Sequence, residues 1–386
     1  MNKDKMGIYV HIPFCKRKCD YCDFVSQTAD KALTGRYVNA LVSELFSLEE
    51  KYGFSKKEYD IATVYIGGGT PSVLEGSDIL RIVGVIRDTY SVLPDAEITI
   101  EINPGTVTED KLRCYRDAGI NRISIGLQSA NDDELKLLSR IHDFKSFLNC
   151  YELVGKAGFD NVNVDIMTAL PGQSEERLLN TLNTVIGLSP GHISAYSLMI
   201  EENTPFYDRY AEGAPHEHEL PGEDEERKLY YLTRDTLGEA GYEQYEISNF
   251  ALKDKYSRHN VSYWKRIPYL GAGLNASGLV NEIRYRNTSD INRYMEAPAS
   301  PDIFEEKIVL SENDRMDETM FLGLPMNEGV SATDFLRTFG ISMYEKYGNV
   351  IEKLAYDGLI QGDEKGIRLT DRGRDYGNYV FSRFLS

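Results

Sequence analysis

The chain has 386 residues, of which 41% are hydrophobic, and its 61 acidic against 43 basic residues give a net charge of −18 at pH 7. This length and composition predict a soluble globular protein with one large domain and a smaller one. The negative charge argues against nucleic acid as the main partner, because a phosphate backbone would be repelled. No apolar run approaches the length of a membrane span and no export signal precedes the first strand, so we expect a cytoplasmic location.

From residue 7 to about residue 200, short β-rich runs alternate with longer stretches of helical period, which is typical of βα units around a parallel sheet. Six runs predict strands, and they begin at Gly7, Ala62, Glu97, Arg122, Asn161 and His192. The unusual residues fall at the C-terminal ends of these runs, where (β/α) barrels keep their active sites. A doubly wound sheet would gather its functional loops at one crevice instead. We therefore predict an α/β fold with a partial, TIM-like (β/α)6 barrel.

Three cysteines, Cys15, Cys19 and Cys22, lie on one short loop after the first predicted strand. An iron–sulfur cubane is normally held by four thiolates, so three leave one iron free to bind a substrate or cofactor. A disulfide is disfavoured because cysteines in a chain without an export signal should stay reduced. A structural zinc with His11 as fourth ligand is the better alternative, although zinc ligands usually come as two separated pairs.

The spacing C-x3-C-x2-C, with Tyr21 before the last cysteine, resembles the signature of radical S-adenosylmethionine (SAM) proteins. In that family the open iron binds SAM, and the reduced cluster cleaves it to a 5′-deoxyadenosyl radical. The string YVHIPFC from Tyr9 resembles the branch that contains the oxygen-independent coproporphyrinogen III oxidases (HemN) and the HemW heme chaperones. The resemblance implies a 4Fe-4S cluster on the three cysteines, with SAM beside it.

Polar and glycine residues at the strand ends match positions that bind SAM in this family. They are Gly68, Gly69 and Thr70 for the methionine end, Glu101 for a further SAM contact, Gln128 and Asp165 for the ribose, and Arg140 for the carboxylate, with Tyr9 and Tyr21 packed near the cluster. A guanidinium is the preferred bidentate partner of a carboxylate, which agrees with the role of Arg140. Without the resemblance, the glycines suit a tight turn, the polar residues a surface, and the tyrosines a core.

A second constellation, SRHNVSYW, places His259 close to Tyr263 and Trp264. The pattern H-N-x-x-Y-W resembles the motif associated with heme binding in the HemW members of the branch. That implies an axial iron ligand beside flat aromatic surface for a porphyrin. From the residues alone, a hydrogen-bonded structural histidine is the alternative, because buried histidines are commonly satisfied within a fold.

The tail contains helical stretches near Asp314, Ala332 and Tyr344, a hairpin that turns at residues 362–365, and a last helix. This order predicts a small α+β, winged-helix-like domain. We expect three parts: the barrel with the cluster and SAM over residues 1–250, an extension with the HNxxYW motif over 251–304, and a HemN-type C-terminal domain over 305–386.

One sequence position distinguishes the oxidases of this branch from its heme-binding members. The coproporphyrinogen oxidases have a further cysteine two residues after the third cluster ligand, whereas this chain has Phe24, as HemW members do. The resemblance therefore implies a protein that binds heme and transfers it to acceptor proteins, for which a membrane-associated protein is one candidate. The alternative is a radical SAM oxidoreductase of the oxidase type. Two departures bear on the ligand pocket: Thr168-Ala169 replaces the usual Tyr-Gly, and Ser277 replaces a histidine.

Overall fold

The protein is described by a computed structural model that covers residues 3–385. The first half contains six βα units, as predicted. Their strands are β1 (Asp4–Ile12), β2 (Tyr59–Gly68), β3 (Val92–Ile102), β4 (Arg122–Gln128), β5 (Val162–Thr168) and β6 (His192–Ser197). The helices between them are α1 (Lys31–Tyr52), α2 (Gly76–Thr89), α3 (Glu109–Ala118), α4 (Asp132–Leu137), α5 (Phe144–Lys156) and α6 (Glu175–Leu188). The six strands are parallel and adjacent in chain order, which confirms the partial barrel.

Helix α1 shows how local sequence sets these units. Asp30 caps its first turn by accepting a hydrogen bond from the amide of Leu33, and Gly53 ends it in the left-handed conformation at φ 66°. Both are common signals for the ends of a helix. The residues spaced along one face, Tyr37, Leu41, Leu45 and Leu48, have no exposed surface. This apolar face covers the sheet, as the helical period predicts.

The opposite face of the strands, inside the barrel, is unusually polar. TIM-barrel interiors are mostly filled by branched apolar side chains. Here Tyr9, Tyr65 and Glu101 lie inside together with Arg122, which is 1% exposed. The Tyr9 and Tyr65 hydroxyls and the Glu101 carboxylate are hydrogen-bonded, whereas Arg122 Nε has no partner among the described residues. The interior is therefore polar rather than filled by apolar side chains.

The chain then extends the sheet at both edges. The elements after β6 are α7 (Pro205–Tyr210), α8 (Glu223–Glu239), β7 (Glu243–Gln244), β8 (Asn249–Ala251), α9 (Arg258–Trp264), β9 (Tyr269–Ala272), β10 (Ser277–Val280), β11 (Ile283–Asn287), α10 (Ile291–Glu296) and β12 (Phe304–Val309). Strand β8 pairs with β6 at one edge, and β9 pairs with β1 at the other, which gives a twelve-stranded sheet. This sheet continues to Val309, past the boundary at residue 304 expected from the sequence.

The tail folds around a core of its own. Its elements are α11 (Glu312–Gly323), β13 (Val330–Ser331), α12 (Ala332–Phe339), α13 (Met343–Tyr356), β14 (Ile360–Asp363), β15 (Gly366–Leu369), α14 (Asp371–Asp375) and α15 (Gly377–Ser382). Met320, Phe335, Leu354 and Val380 pack together at its centre. The predicted helices and the hairpin are all present, and the hairpin joins β13 in a three-stranded sheet. None of the helices within residues 3–385 is long and apolar enough to cross a membrane.

Candidate cluster and cofactor site

A cavity of about 430 Å³ opens at the C-terminal ends of the barrel strands, and we call it the cluster cavity. Most of the predicted site residues line it: Cys15, Cys19, Tyr21, Cys22, Gly68, Gly69, Thr70, Glu101, Gln128, Arg140 and Asp165. Its volume falls within the usual range for small-molecule sites. Tyr9, predicted to pack near the cluster, and His259, predicted to bind heme, lie outside its lining.

Two backbone hydrogen bonds connect the glycine loop after β2, which contains Gly68 and Gly69, to the segment that leads into the cysteine loop. The Gly69 amide donates to the carbonyl of Ile12 over 2.9 Å, and the Thr70 amide donates to the carbonyl of Phe14 over 2.7 Å. A Cβ atom on Gly69 would lie 2.8 Å from the Phe14 oxygen and 3.1 Å from the Cys15 sulfur. A side chain would therefore collide there, so the glycine permits the close approach of the two loops.

The donor set fits an iron–sulfur cluster better than a single zinc ion. The ring of His11, the expected fourth zinc ligand, is 3.0 Å from the Tyr9 hydroxyl through Nδ1 and 3.1 Å from the Val25 carbonyl through Nε2. Within residues 3–385, no three His, Cys, Asp or Glu side chains are arranged to hold one ion. A cubane binds each thiolate to a different iron, so its ligands lie farther apart than those of zinc. Cys15, Cys19 and Cys22 are free and partly exposed, so they supply three thiols for such a cluster.

A chain of hydrogen bonds links two of these cysteines. Thr70 Oγ1 donates to Cys15 Sγ over 3.4 Å and accepts from Asn103 Nδ2 over 2.8 Å. Arg140 Nη2 donates to Asn103 Oδ1 over 2.6 Å, and Arg140 Nη1 donates to Cys19 Sγ over 3.5 Å. The Nε atom of Arg140 is buried and has no hydrogen-bond partner among the described residues. The guanidinium thus places positive charge beside a thiolate and keeps a donor for a ligand.

Asn103, the central link of this chain, was not predicted from the sequence. The residue stands two positions after Glu101 at the same strand end, which is the signal that identifies it in retrospect. An asparagine before Pro-Gly also has an ordinary explanation as a turn residue. Only the tertiary structure shows that its amide joins Thr70 to Arg140.

Glu101 is held at the end of β3 by two donors. The Tyr65 hydroxyl donates to Oε1 over 2.7 Å, and the Gly68 amide donates to Oε2 over 3.1 Å. Burial raises the pKa of Glu101 to about 7, although the hydrogen bond from Tyr65 acts in the opposite direction. The carboxyl therefore changes charge near neutral pH, and its ionised form can accept hydrogen bonds from a ligand.

The two expected ribose positions lie on β4 and β5. Gln128 has a left-handed backbone at φ 75°, and its Oε1 accepts a hydrogen bond from the Tyr196 hydroxyl over 2.9 Å. Asp165 accepts from Asn163 Nδ2 over 2.6 Å and from Ser124 Oγ over 3.2 Å, and burial raises its pKa. A non-glycine residue in the left-handed region is strained, and such strain often occurs at ligand sites.

His259 lies deeper in the barrel, at its floor. Its Nδ1 is 2.8 Å from Thr63 Oγ1, and its Nε2 is 2.7 Å from the Tyr263 hydroxyl. Tyr65 lies between His259 and the cavity, because its ring stacks on that of His259 at a centroid distance of 5.2 Å and its hydroxyl donates to Glu101. Burial lowers the pKa of His259 to about 3, so the ring is neutral. Ligation of a heme iron would require Nε2 to leave Tyr263, and ligation by His259 stays a prediction.

Comparisons with known proteins agree with this geometry. Residues 9–185 match the radical SAM superfamily, and residues 310–376 match the HemN C-terminal domain. In fold, the chain is similar to the radical SAM enzyme coproporphyrinogen III oxidase HemN from Escherichia coli, with a TM-score of 0.84 and 23% identity over 100% of this chain and 90% of that one. The three-cysteine loop above a partial barrel is thus that of a radical SAM protein.

Two relatives define the branch. The heme chaperone HemW of Lactococcus lactis is 37% identical over 98% of this chain and 96% of its own length. The heme chaperone HemW of Bacillus subtilis is 34% identical over 98% of both chains. The chain belongs to the HemW branch of the radical SAM superfamily.

Proposed function

We propose that the protein is a heme chaperone that binds heme, carries a SAM-associated 4Fe-4S cluster and passes the heme to acceptor proteins. Relatives named heme chaperones that match nearly the full length support the heme-binding part. The observation that carries the proposal is Phe24, which lines the cluster cavity where the oxidases have a further cysteine. Its side chain is 58% exposed, so it offers apolar surface at the cavity mouth in place of a thiol.

The residues of the cavity suit the expected cofactors. Cys15, Cys19 and Cys22 would hold the cluster, which when bound supplies one-electron transfer next to a SAM molecule. Arg140 would pair with the SAM carboxylate through its unpartnered Nε, and Glu101 would accept hydrogen bonds from the ligand. The glycine loop leaves backbone open to the ligand because no side chain intervenes.

The test is a parallel assay on anaerobically purified, cluster-reconstituted protein. We expect iron and sulfide in cluster proportions, stoichiometric heme binding and no conversion of coproporphyrinogen III. A Cys19→Ala variant should lose the iron and sulfide. Conversion of the porphyrinogen would instead favour the radical SAM oxidoreductase, and a failure of the wild type to bind heme would reject the chaperone.

A further inference from the structure

We propose that heme docks at the mouth of the cluster cavity, with Phe24 against the porphyrin ring and the Met199 thioether as an axial ligand of the iron. The inference rests on the proposed heme-chaperone function and assigns a binding site to it. It differs from the motif-based expectation, which places the iron at His259.

Met199 is presented at the mouth in an unusual way. It follows β6 by two residues, lines the cluster cavity and is 70% exposed, while every other methionine within residues 3–385 is buried or half-buried. The preceding amide, that of Leu198, donates to the Thr168 carbonyl over 2.9 Å and so fixes the backbone. A thioether is a soft ligand that proteins use for heme iron. Exposing this side chain to water has a cost that a ligand would remove.

Phe24 lines the same cavity from the cysteine loop. The segment after Met199 is joined to that loop, because the Phe206 amide donates to the Asp20 carbonyl over 3.0 Å and Arg209 pairs with the Asp20 carboxylate at 2.9 Å. The two exposed apolar side chains therefore sit on segments that are held together. A flat aromatic and a thioether on one rim match a planar metalloporphyrin.

The charges around the mouth fit the two carboxylates of heme. Arg17 and Lys18 line the cavity, and both are exposed. Neither has a carboxylate within ion-pair distance among the described residues, although the chain as a whole carries a charge of −18. Asp23 and Glu201 also line the cavity and would repel the propionates, so the carboxylates of heme should point toward the two cations.

The floor of the barrel offers no comparable access. His259 is 1% exposed, and both of its ring nitrogens have partners inside the protein. A porphyrin would have to open the floor and break these bonds before it reached the ring. The mouth requires no such rearrangement, because Met199 and Phe24 already face solvent.

The test compares Met199→Leu and Phe24→Ala with controls matched for exposure. The controls are Val309→Ala, at a residue 72% exposed on β12, and Phe46→Ala, at a residue 58% exposed on α1. We expect Met199→Leu to lose the sulfur-to-iron charge-transfer absorption of ferric heme and about tenfold in heme affinity. Phe24→Ala should keep the absorption and lose about two- to tenfold in affinity. Both controls should match the wild type.

Iron and sulfide content, measured on every variant, separates an effect on heme from loss of the cluster. If the wild type binds heme without that absorption, or if Met199→Leu leaves it unchanged, the inference is overturned and the heme-chaperone function stands. Loss of heme affinity in His259→Ala but not in Met199→Leu would place the ligand at the floor and also overturn it. If the wild type binds no heme at all, the proposed function itself fails.

Discussion

Ala169, directly after β5, holds a backbone conformation that costs an alanine more than a glycine. Its φ is 57°, and its side chain is 3% exposed. We expect Ala169→Gly to raise the free energy of unfolding by about 0.5 to 1 kcal/mol. The left-handed conformation costs an alanine about 1–2 kcal/mol, and glycine avoids this cost. Glycine also loses more conformational entropy on folding, but that loss is smaller. Urea unfolding followed by circular dichroism measures the change.

The matched control is Gly172→Ala, three residues further on. Gly172 has φ 66° and no heavy atom within 4 Å of an added Cβ, so that substitution introduces backbone strain without a clash. It should lower the unfolding free energy by about 1 kcal/mol. A loss of stability in Ala169→Gly would contradict the left-handed assignment.

We expect Glu101 to make SAM affinity depend on pH. Its pKa is about 7 in the free protein, so protonation below that pH removes the negative charge next to the site. A cationic ligand favours the carboxylate, and binding must then release a proton. We expect affinity to fall by up to about tenfold per pH unit below pH 7, as calorimetric titrations of SAM should show.

The variant Glu101→Gln should flatten this pH profile. Glu246 supplies a control, because burial raises its pKa too, but it lies outside the cluster cavity. Glu246→Gln should keep the slope of the wild type. A slope that persists in Glu101→Gln would assign the titration to another group.

Individual residues were predictable where one local feature identified them. The cysteines, the glycine run and Glu101 stand at strand ends, and all line the cavity. The left-handed backbone of Gln128 gave no such signal, since it arises where the β4–β5 register shifts. The exposure of Met199 was not predictable either, because it depends on tertiary packing. A methionine next to a strand is more typical of a buried core residue.

At the scale of elements, prediction succeeded for the six parallel strands because each is a β-rich run between helical stretches. The strands at the two edges of the sheet were not predicted. Strands β7 and β8 have two and three residues, and β9 to β12 reach the barrel sheet only through the pairing of β9 with β1, at the other end of the sequence. Such pairing is set by register and twist, which short runs do not encode locally.

The ring of His259 is one of the attachments of helix α9 to the barrel, beside the two backbone amides that donate to Glu97. His259→Ala leaves the hydroxyls of Thr63 and Tyr263 without the ring and opens a cavity. We expect it to lower the free energy of unfolding by about 2–4 kcal/mol. His216→Ala, at an exposed histidine paired with Glu219, should change it by less than about 0.5 kcal/mol.

The pH dependence of the stability lost in His259→Ala tests whether that loss comes from a buried, neutral imidazole ring. The pKa of His259 is about 3 when folded and near 6.5 when unfolded, so the unfolded chain binds the extra proton between these values. This histidine therefore stabilises the fold fully above about pH 6.5, and the contribution declines as pH falls toward 3. The slope of stability against pH in urea unfolding should be smaller in His259→Ala, and an unchanged slope would show that the ring is not buried as a neutral group.

At the scale of the whole molecule, the barrel and the tail are joined by an ionic centre. Glu318 on α11 accepts from Arg266 Nε at 2.7 Å through Oε2 and pairs with Arg284 Nη2 at 2.8 Å through Oε1. The side chains of Glu318 and Arg266 are 10% exposed. Nearby, Trp264 of α9 packs in a small cluster with Met326 of the tail. This buried carboxylate is thus one of the contacts that orient the tail on the barrel.

Removal of that carboxylate should loosen the tail. Glu318→Ala removes the buried carboxylate that Arg266 and Arg284 share, although Arg266 keeps its pair with Glu282, and we expect a cost of about 1.5–3 kcal/mol. Glu328→Ala is the control, because it breaks another barrel-to-tail pair, with Lys265 at 2.8 Å, whose side chains are 60% and 48% exposed. An exposed pair contributes about 0.2–1 kcal/mol. Trp264 is the single tryptophan, so its fluorescence during urea unfolding reports on this junction. Equal midpoints for the two variants would show that the ionic centre does not hold the tail in place.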